Sequence, residues 1–303
     1  MPSKLKELHA DFLEDLEIAQ GRSQKTIANY DHYLQRFYQQ QAIEDIASIT
    51  LESVRAFRRH LNESGTNGLS LATQNYHMIA LRQLLKYLAK RDIPALSPEK
   101  IGLAKLAERE IDVLYPEEVE ALLAAPTGPA IETLRDKALL NALFSTGLRI
   151  SEAMKLNRDT VREKSREIPV RGKGNKVRVV FLSEEAHAAI NQYIAARSDI
   201  DPALFIRHKK GSVGAADDLR LTPRTVQRLI KKYAAKAGLT KDITPHTLRH
   251  SFATDLLSNG ADVREVQQLL GHASITTTQI YTHLTDVHLR DVHERFHRKK
   301  QAS

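Results

Sequence analysis

Apolar residues recur every three to four positions along most of this chain, and one stretch alone changes to a two-residue period. The first spacing puts side chains on one stripe of a helix, and the second puts them on one face of a strand. The sequence therefore predicts a mainly α fold with a small antiparallel β-sheet. Four helical stretches fill residues 1–96. Leu5, Leu8, Phe12 and Leu16 mark the first, and Ile27, Tyr30, Leu34 and Phe37 follow a Ser23 N-cap. Val54, Phe57 and Leu61 follow Thr50, and Met78, Leu81, Leu85 and Leu88 follow the turn SGTNGLS. Pro94, Pro98 and Gly102 interrupt the pattern, so 97–113 reads as a linker. Pro116, with Glu117 and Glu118 behind it, suits the first turn of a new helix and opens a second domain over 114–285.

In that second domain, helices are expected at 116–125, 130–146 and 150–156. Gly147 ends the middle one and sets Arg149 at a tight junction. Ile168, Val170, Val177, Val179 and Phe181 alternate around the turn RGKGNK, which predicts a β-hairpin. A helix follows from Ser183 to about Arg197, and ALFIR at 203–207 is a candidate third strand. Residues 208–220 read as a loop. Thr222 and Pro223 start a helix that ends at Gly238. The tail, 286–303, places Leu289, Val292 and Phe296 in helical phase.

Charge narrows the partners. Lys and Arg total 45 against 37 Asp and Glu, a net +8 that favours a polyanion. The basic residues gather on three surfaces: Arg82 and Lys86 with Arg55, Arg58 and Arg59; Arg171, Lys173, Lys176 and Arg178 in the hairpin; Arg224, Arg228 and Lys231 on the helix after Thr222. Each could be a solvated face or a phosphate-contacting one. No cysteine is present, which excludes disulfides and thiolate metal sites. The chain has no P-loop, HExxH or EF-hand pattern. The histidines at 283, 288, 293 and 297 are spaced wrongly for a helical metal face, apart from the last two. Neither metal nor cofactor is expected, nor a membrane span, and a cytoplasmic location follows.

The stretch from Thr244 to His283 gathers His246, Arg249, His250, His272, Tyr281 and His283. Guanidinium forks suit non-bridging phosphate oxygens, a tyrosine hydroxyl can serve as a nucleophile, and a lysine can protonate a leaving oxygen. These are the parts for attack on a phosphodiester without metal or nucleotide.

Four blocks, TGLRISE at 146–152, GKGNK at 172–176, PHTLRHSFAT at 245–254 and LLGHASITTTQIYTH at 269–283, resemble the tyrosine recombinases. More narrowly they resemble the Xer-type resolvases and their phage-integrase relatives. The 1–96 region is similar in character to that family's core-binding, SAM-like domain, which implies a two-domain DNA clamp. The resemblance implies that Arg149 and Arg249 hold the scissile phosphate and that Tyr281 forms a 3′-phosphotyrosyl link. Lys173 would be the general acid, His246 would assist proton transfer at the nucleophile, and His272 would bond a phosphate oxygen. Glu152 and His250 would orient these groups. Duplex DNA with a specific site is the implied partner, bound by a homo- or hetero-tetramer that passes through a Holliday junction. A translocase or accessory regulator is a possible further partner, and the tail would dock on a neighbouring protomer. Resolution of chromosome or plasmid dimers is the function implied. The competing readings are a mobile-element integrase, a topoisomerase-like relaxer and a non-catalytic DNA-binding protein on the same scaffold.

Overall fold

A computed structural model describes residues 4–65, 68–106, 112–161, 165–172, 176–208 and 218–271. The chain divides into two compact units, Met1–Arg109 and Glu110–Ser303. Among the described residues, no helix is long and apolar enough to cross a membrane.

The first unit contains α1 (Lys4–Ile18), α2 (Gln24–Gln40), α3 (Leu51–Glu63) and α4 (Leu71–Ala89). Their starts are set locally. Ser23 Oγ accepts from the Thr26 N–H, Thr50 Oγ1 from the Ser53 N–H, and Ser70 Oγ from the Thr73 N–H. Each bond satisfies an amide that the first helical turn leaves without a partner. The expected stripes turn inward: Phe12, Leu16, Leu34, Phe37, Phe57, Leu61, Met78, Leu81 and Leu85 are buried together. Leu8 and Tyr30 pack against that core and are only partly covered. The start of the expected linker belongs to this unit. Ile101 is buried in its core, and Asn75 exchanges two 2.9 Å hydrogen bonds with the Ala104 backbone. Its described residues lack an apolar period because they fold as a strap over α4, with a single 3-10 turn at Pro98–Lys100.

The second unit contains α5 (Pro116–Ala124), α6 (Ile131–Thr146), α7 (Ile150–Ala153), β1 (Glu167–Arg171), β2 (Val177–Phe181), α8 (Glu184–Ala195), α9 (Pro223–Lys236), α10 (Pro245–Ser258) and α11 (Val263–Leu270). α6 is the central element, with Ala138, Leu139, Leu140, Ala142 and Leu143 all buried. A helix that is apolar around most of its girth must lie inside the core. Its buried Arg135 pairs with Asp136 at 2.6 Å and donates to Ile206 O at 2.9 Å, while Tyr233 of α9 donates to Asp136 at 2.9 Å. These polar groups satisfy one another inside the core.

Three expectations change. α7 stops at Ala153, short of 156, because Arg220 draws off the next carbonyls: its Nη1 donates to Met154 O at 3.0 Å and Leu156 O at 2.9 Å. Residues 203–207 do not join the hairpin, and the sheet is two-stranded among the described residues. Ala203, Leu204, Phe205 and Ile206 are buried in succession, and isolated bridges to Asn157 and Arg220 take up their backbone. The hairpin itself forms with Ile168 opposite Val180 and Val170 opposite Arg178. Directly opposed residues share a face. Ile168, Val170 and Val180 are therefore inside, while Val177, Val179 and Phe181, which carried the sequence pattern, point outward. One residue of phase separates the two readings.

Candidate active site

The site forms where three chain segments meet: the α6–α7 junction, α10 and the end of α11. Gly147 closes α6 in the left-handed region at φ 59°. A Cβ there would overlap the Phe252 ring and lie 2.9 Å from Leu270 Cδ2. Glycine is required on both counts. The turn it makes puts Arg149 at the N-cap of α7, where its backbone N–H donates to Glu152 Oε2 at 3.0 Å.

α10 starts at a Thr244 cap and carries His246, Arg249 and His250 within one turn. Spacings of three and four place them together on the helix surface. Arg249 is only 4% exposed. Its Nη1 donates to Gly147 O at 2.6 Å and its Nη2 to Leu270 O at 2.7 Å, which fixes the guanidinium plane.

α11 supplies the common anchor. Arg178 Nε donates to Leu269 O at 2.9 Å, Arg249 Nη2 to Leu270 O at 2.7 Å, and Arg149 Nη2 to Gly271 O at 3.4 Å. Three guanidinium groups thus sit on three consecutive carbonyls at a helix C-terminus. Those carbonyls lack intrahelical partners and carry the negative end of the helix dipole. The two short bonds, from Arg178 to Leu269 O and from Arg249 to Leu270 O, are each of the charge-assisted kind that contributes about 1.5–3 kcal/mol; the longer, exposed Arg149 contact contributes less. The anchored guanidiniums concentrate positive charge in one place, which is what a phosphodiester requires.

Glu152 binds two of the three arginines. Oε1 accepts from Arg149 Nη1 at 3.1 Å and Arg178 Nη1 at 3.1 Å, and Oε2 accepts from Arg178 Nη2 at 2.9 Å and the Arg149 N–H at 3.0 Å. Burial alone would raise the pKa of this carboxyl. The bonds and charges of Arg178 and Arg149 outweigh burial and hold it below the ordinary carboxylate value. Removing one partner from the buried Arg178–Glu152 pair costs about 3–5 kcal/mol.

The histidines are kept neutral. Desolvation, then the charges of Arg249 and Arg149, lower the pKa of His246. Burial, then His246 and Arg249, lower His250 to about 4. The two rings lie 6.3 Å apart. A neutral imidazole at pH 7 can accept a proton, which a cationic one cannot.

The structure therefore brings Arg149, Glu152, His246, Arg249 and His250 together. Lys173, His272 and Tyr281 lie outside the described residues. Of the residues read as DNA-facing, Arg171, Lys176, Lys86, Arg224, Arg228 and Lys231 are exposed, and Arg82 is half-buried. Lys231 pairs with Asp242 at 2.9 Å on the surface. Arg178 differs from its expectation: its side chain is 13% exposed, and Glu152 and Leu269 hold its guanidinium. The sequence reading missed this role because it followed Val177 and Val179, whose phase puts Arg178 on the outer face.

Two family descriptions match the chain: "Phage integrase family" over residues 112–288, and "Phage integrase, N-terminal SAM-like domain" over residues 10–92. Tyrosine recombinase XerD of Halalkalibacterium halodurans is 35% identical over 297 residues, covering 94% of this chain and 96% of the relative. Tyrosine recombinase XerC of Listeria monocytogenes is 36% identical over 299 residues, covering 96% and 97%. Among solved structures, the XerA recombinase is 29% identical with a TM-score of 0.54, covering 98% of this chain and 100% of that one. The XerH recombinase bound to palindromic difH substrate has a TM-score of 0.70 at 24% identity, covers 94% of this chain and 83% of that one, and bears on the fold alone. The family descriptions account for most of the chain, and the arginine cluster falls inside the larger match. The chain belongs to the phage integrase family and is a tyrosine recombinase, an enzyme that cuts and rejoins DNA.

Proposed function

We propose that this protein is a site-specific recombinase of Xer type that exchanges DNA strands through a 3′-phosphotyrosyl intermediate. Arg149 and Arg249 hold the non-bridging oxygens of the scissile phosphate, and Tyr281 attacks the phosphorus. The bond to the 5′ oxygen breaks, and Lys173 supplies the proton to that leaving group. His246 takes up the tyrosine proton, while His272 donates to a phosphate oxygen. The covalent link conserves the phosphodiester, so a 5′ hydroxyl from a partner strand can attack it and reseal without ATP. Four protomers on two duplex sites, passing through a Holliday junction, would complete the exchange. The tail 286–303 would dock on a neighbouring protomer. The biological task is resolution of chromosome or plasmid dimers at the nucleoid in the cytoplasm, under a translocase or accessory regulator. Domain limits of 1–96, 97–113 and 114–285 go with this reading.

The observation that carries the reading is the meeting of Arg149 and Arg249 on adjacent carbonyls, Gly271 and Leu270, beside a neutral His246. Preorganised cations at the developing phosphorane charge are the largest contribution to such catalysis. The deciding experiment is incubation with a nicked duplex that carries the recombination site. A covalent protein–DNA adduct is expected, and none with Tyr281→Phe, which should still bind DNA. An adduct from Tyr281→Phe overturns the nucleophile assignment. Absence of adduct from the parent on every site favours a non-catalytic DNA-binding protein. Insertion between non-identical sites favours a mobile-element integrase.

A further inference from the structure

Arg178 lies on the inward face of β2, opposite Val170 and beside Val180. Its guanidinium donates to Glu152 through both terminal nitrogens and to Leu269 O through Nε. The fork is thereby committed on all three nitrogens, and its side chain is 13% exposed against 36% for Arg149. The surroundings are shaped to admit it. A Cβ on Gly271 would lie 3.1–3.2 Å from Arg178 Nη1, Cδ and Cζ, and one on Gly172 would lie 3.3 Å from Nη1. Two glycines thus leave room for the Arg178 side chain where a Cβ would crowd it.

We infer that Arg178 is a positioning residue for the cleavage step: it shares Glu152 with Arg149, leaving Arg149 one side-chain contact to the carboxylate and its guanidinium facing the substrate. This rests on the phosphate-binding role proposed above for Arg149. A carboxylate with both oxygens available would accept Arg149 in a bidentate fork, the preferred Arg–carboxylate geometry. Arg149 would then be turned inward and its charge neutralised. With Arg178 on Oε1 and Oε2, Arg149 Nη1 reaches only Oε1 and Nη2 turns to Gly271 O. The same contacts tie β2, and with it the hairpin, to the end of α11.

The test uses the full chain with Arg178→Met and Arg178→Lys, and Arg149→Ala and Tyr281→Phe in parallel. Duplex binding is measured against salt, and single-turnover cleavage of a nicked site is measured at saturating protein. Two scissile groups are compared, the natural phosphate and a methylphosphonate. The methyl group removes the anionic charge that Arg149 opposes, so a defect that acts through Arg149 shrinks on the neutral substrate. Both Arg178 variants should bind with an unchanged salt slope and cleave the natural phosphate about tenfold more slowly or worse. Relative to the parent, the defect should shrink on the methylphosphonate, as it should for Arg149→Ala. Lysine keeps the charge without the fork and guards against an Arg178→Met chain that fails to fold. A salt slope lower by about one, with cleavage intact, would make Arg178 a direct phosphate contact and overturn the inference. Equal defects on both substrates would reduce it to structural support, and parental cleavage by both variants would remove it altogether. If Arg149→Ala gains nothing from the methylphosphonate, or Tyr281→Phe still forms adduct, the underlying functional reading is the one that has failed.

Discussion

Two groups of arginines in the catalytic unit do opposite things with the same side chain. Arg224 and Arg228 on α9 are exposed along one face, opposite buried Val226, Ile230 and Tyr233. Arg149, Arg178 and Arg249 converge on the carbonyls of Leu269, Leu270 and Gly271 at the C-terminal end of α11. The α9 group is exposed and screened by salt, so on the proposed reading it would supply attraction without fixed geometry. The α11 group is held in place by the fold, so on the proposed reading its charges would need little reorganisation when negative charge develops on phosphorus. On the function proposed above, burial and carbonyl partners, not residue type, separate a docking surface from a reaction centre.

The largest effect should come from breaking the fixed group while keeping its charge. Arg249→Lys cannot span Gly147 O and Leu270 O with a planar fork. Cleavage of a nicked site at saturating protein should fall by about 100- to 1000-fold, the scale for losing one preorganised donor. Binding should change little. A parental cleavage rate would mean that positive charge alone suffices and that the contrast with α9 is one of degree.

An intermediate effect concerns the histidines under those arginines. His250 titrates near 4 in the fold because of burial first, then His246 and Arg249. An unfolded histidine titrates near ~6.5. Between those values the unfolded chain binds a proton that the folded chain refuses. The stability associated with neutral His250 is fully present above the unfolded value and is lost as the pH falls towards the folded one. The urea midpoint of the catalytic unit's transition should therefore drop from pH 7.5 to pH 5, and drop less in His250→Gln. An identical drop in both proteins would place the pH sensitivity elsewhere.

The smallest effect is expected at α9. Arg228→Ala should weaken duplex binding a few-fold, with a salt slope shallower by about one, alike on cognate and unrelated sequences. Cleavage at saturation should match the parent. A cleavage defect there would place α9 with the fixed arginines and erase the distinction.

Helix caps and stripes were legible because their causes are local. Ser23, Thr50, Ser183 and Thr222 each accept from an amide three residues on, and Gly147 is left-handed at the end of α6. The partnership of His246 with Arg249 followed from helical spacing. Arg178 was misread for a physical reason. Both faces of β2 carry valines, so alternation could not tell which face is buried, and the more numerous set, Val177, Val179 and Phe181, is the exposed one. The bridges at 203–206 were likewise invisible, because four successive buried residues show no period at all.

By itself the sequence determined the helical content, the capped helix starts, the family-like blocks and the types of chemistry available, because caps and stripes depend on residues within a turn or two of one another. Tertiary structure decided the rest. Arg149 and Gly271 are far apart in sequence, as are Arg178 and Leu269, and only packing of α10 against α6 and of α11 against α10 and β2 brings those carbonyls to the arginines. A carbonyl at the end of a helix has no side chain to announce it. Its value as an anion-like anchor appears only when the fold supplies the cation.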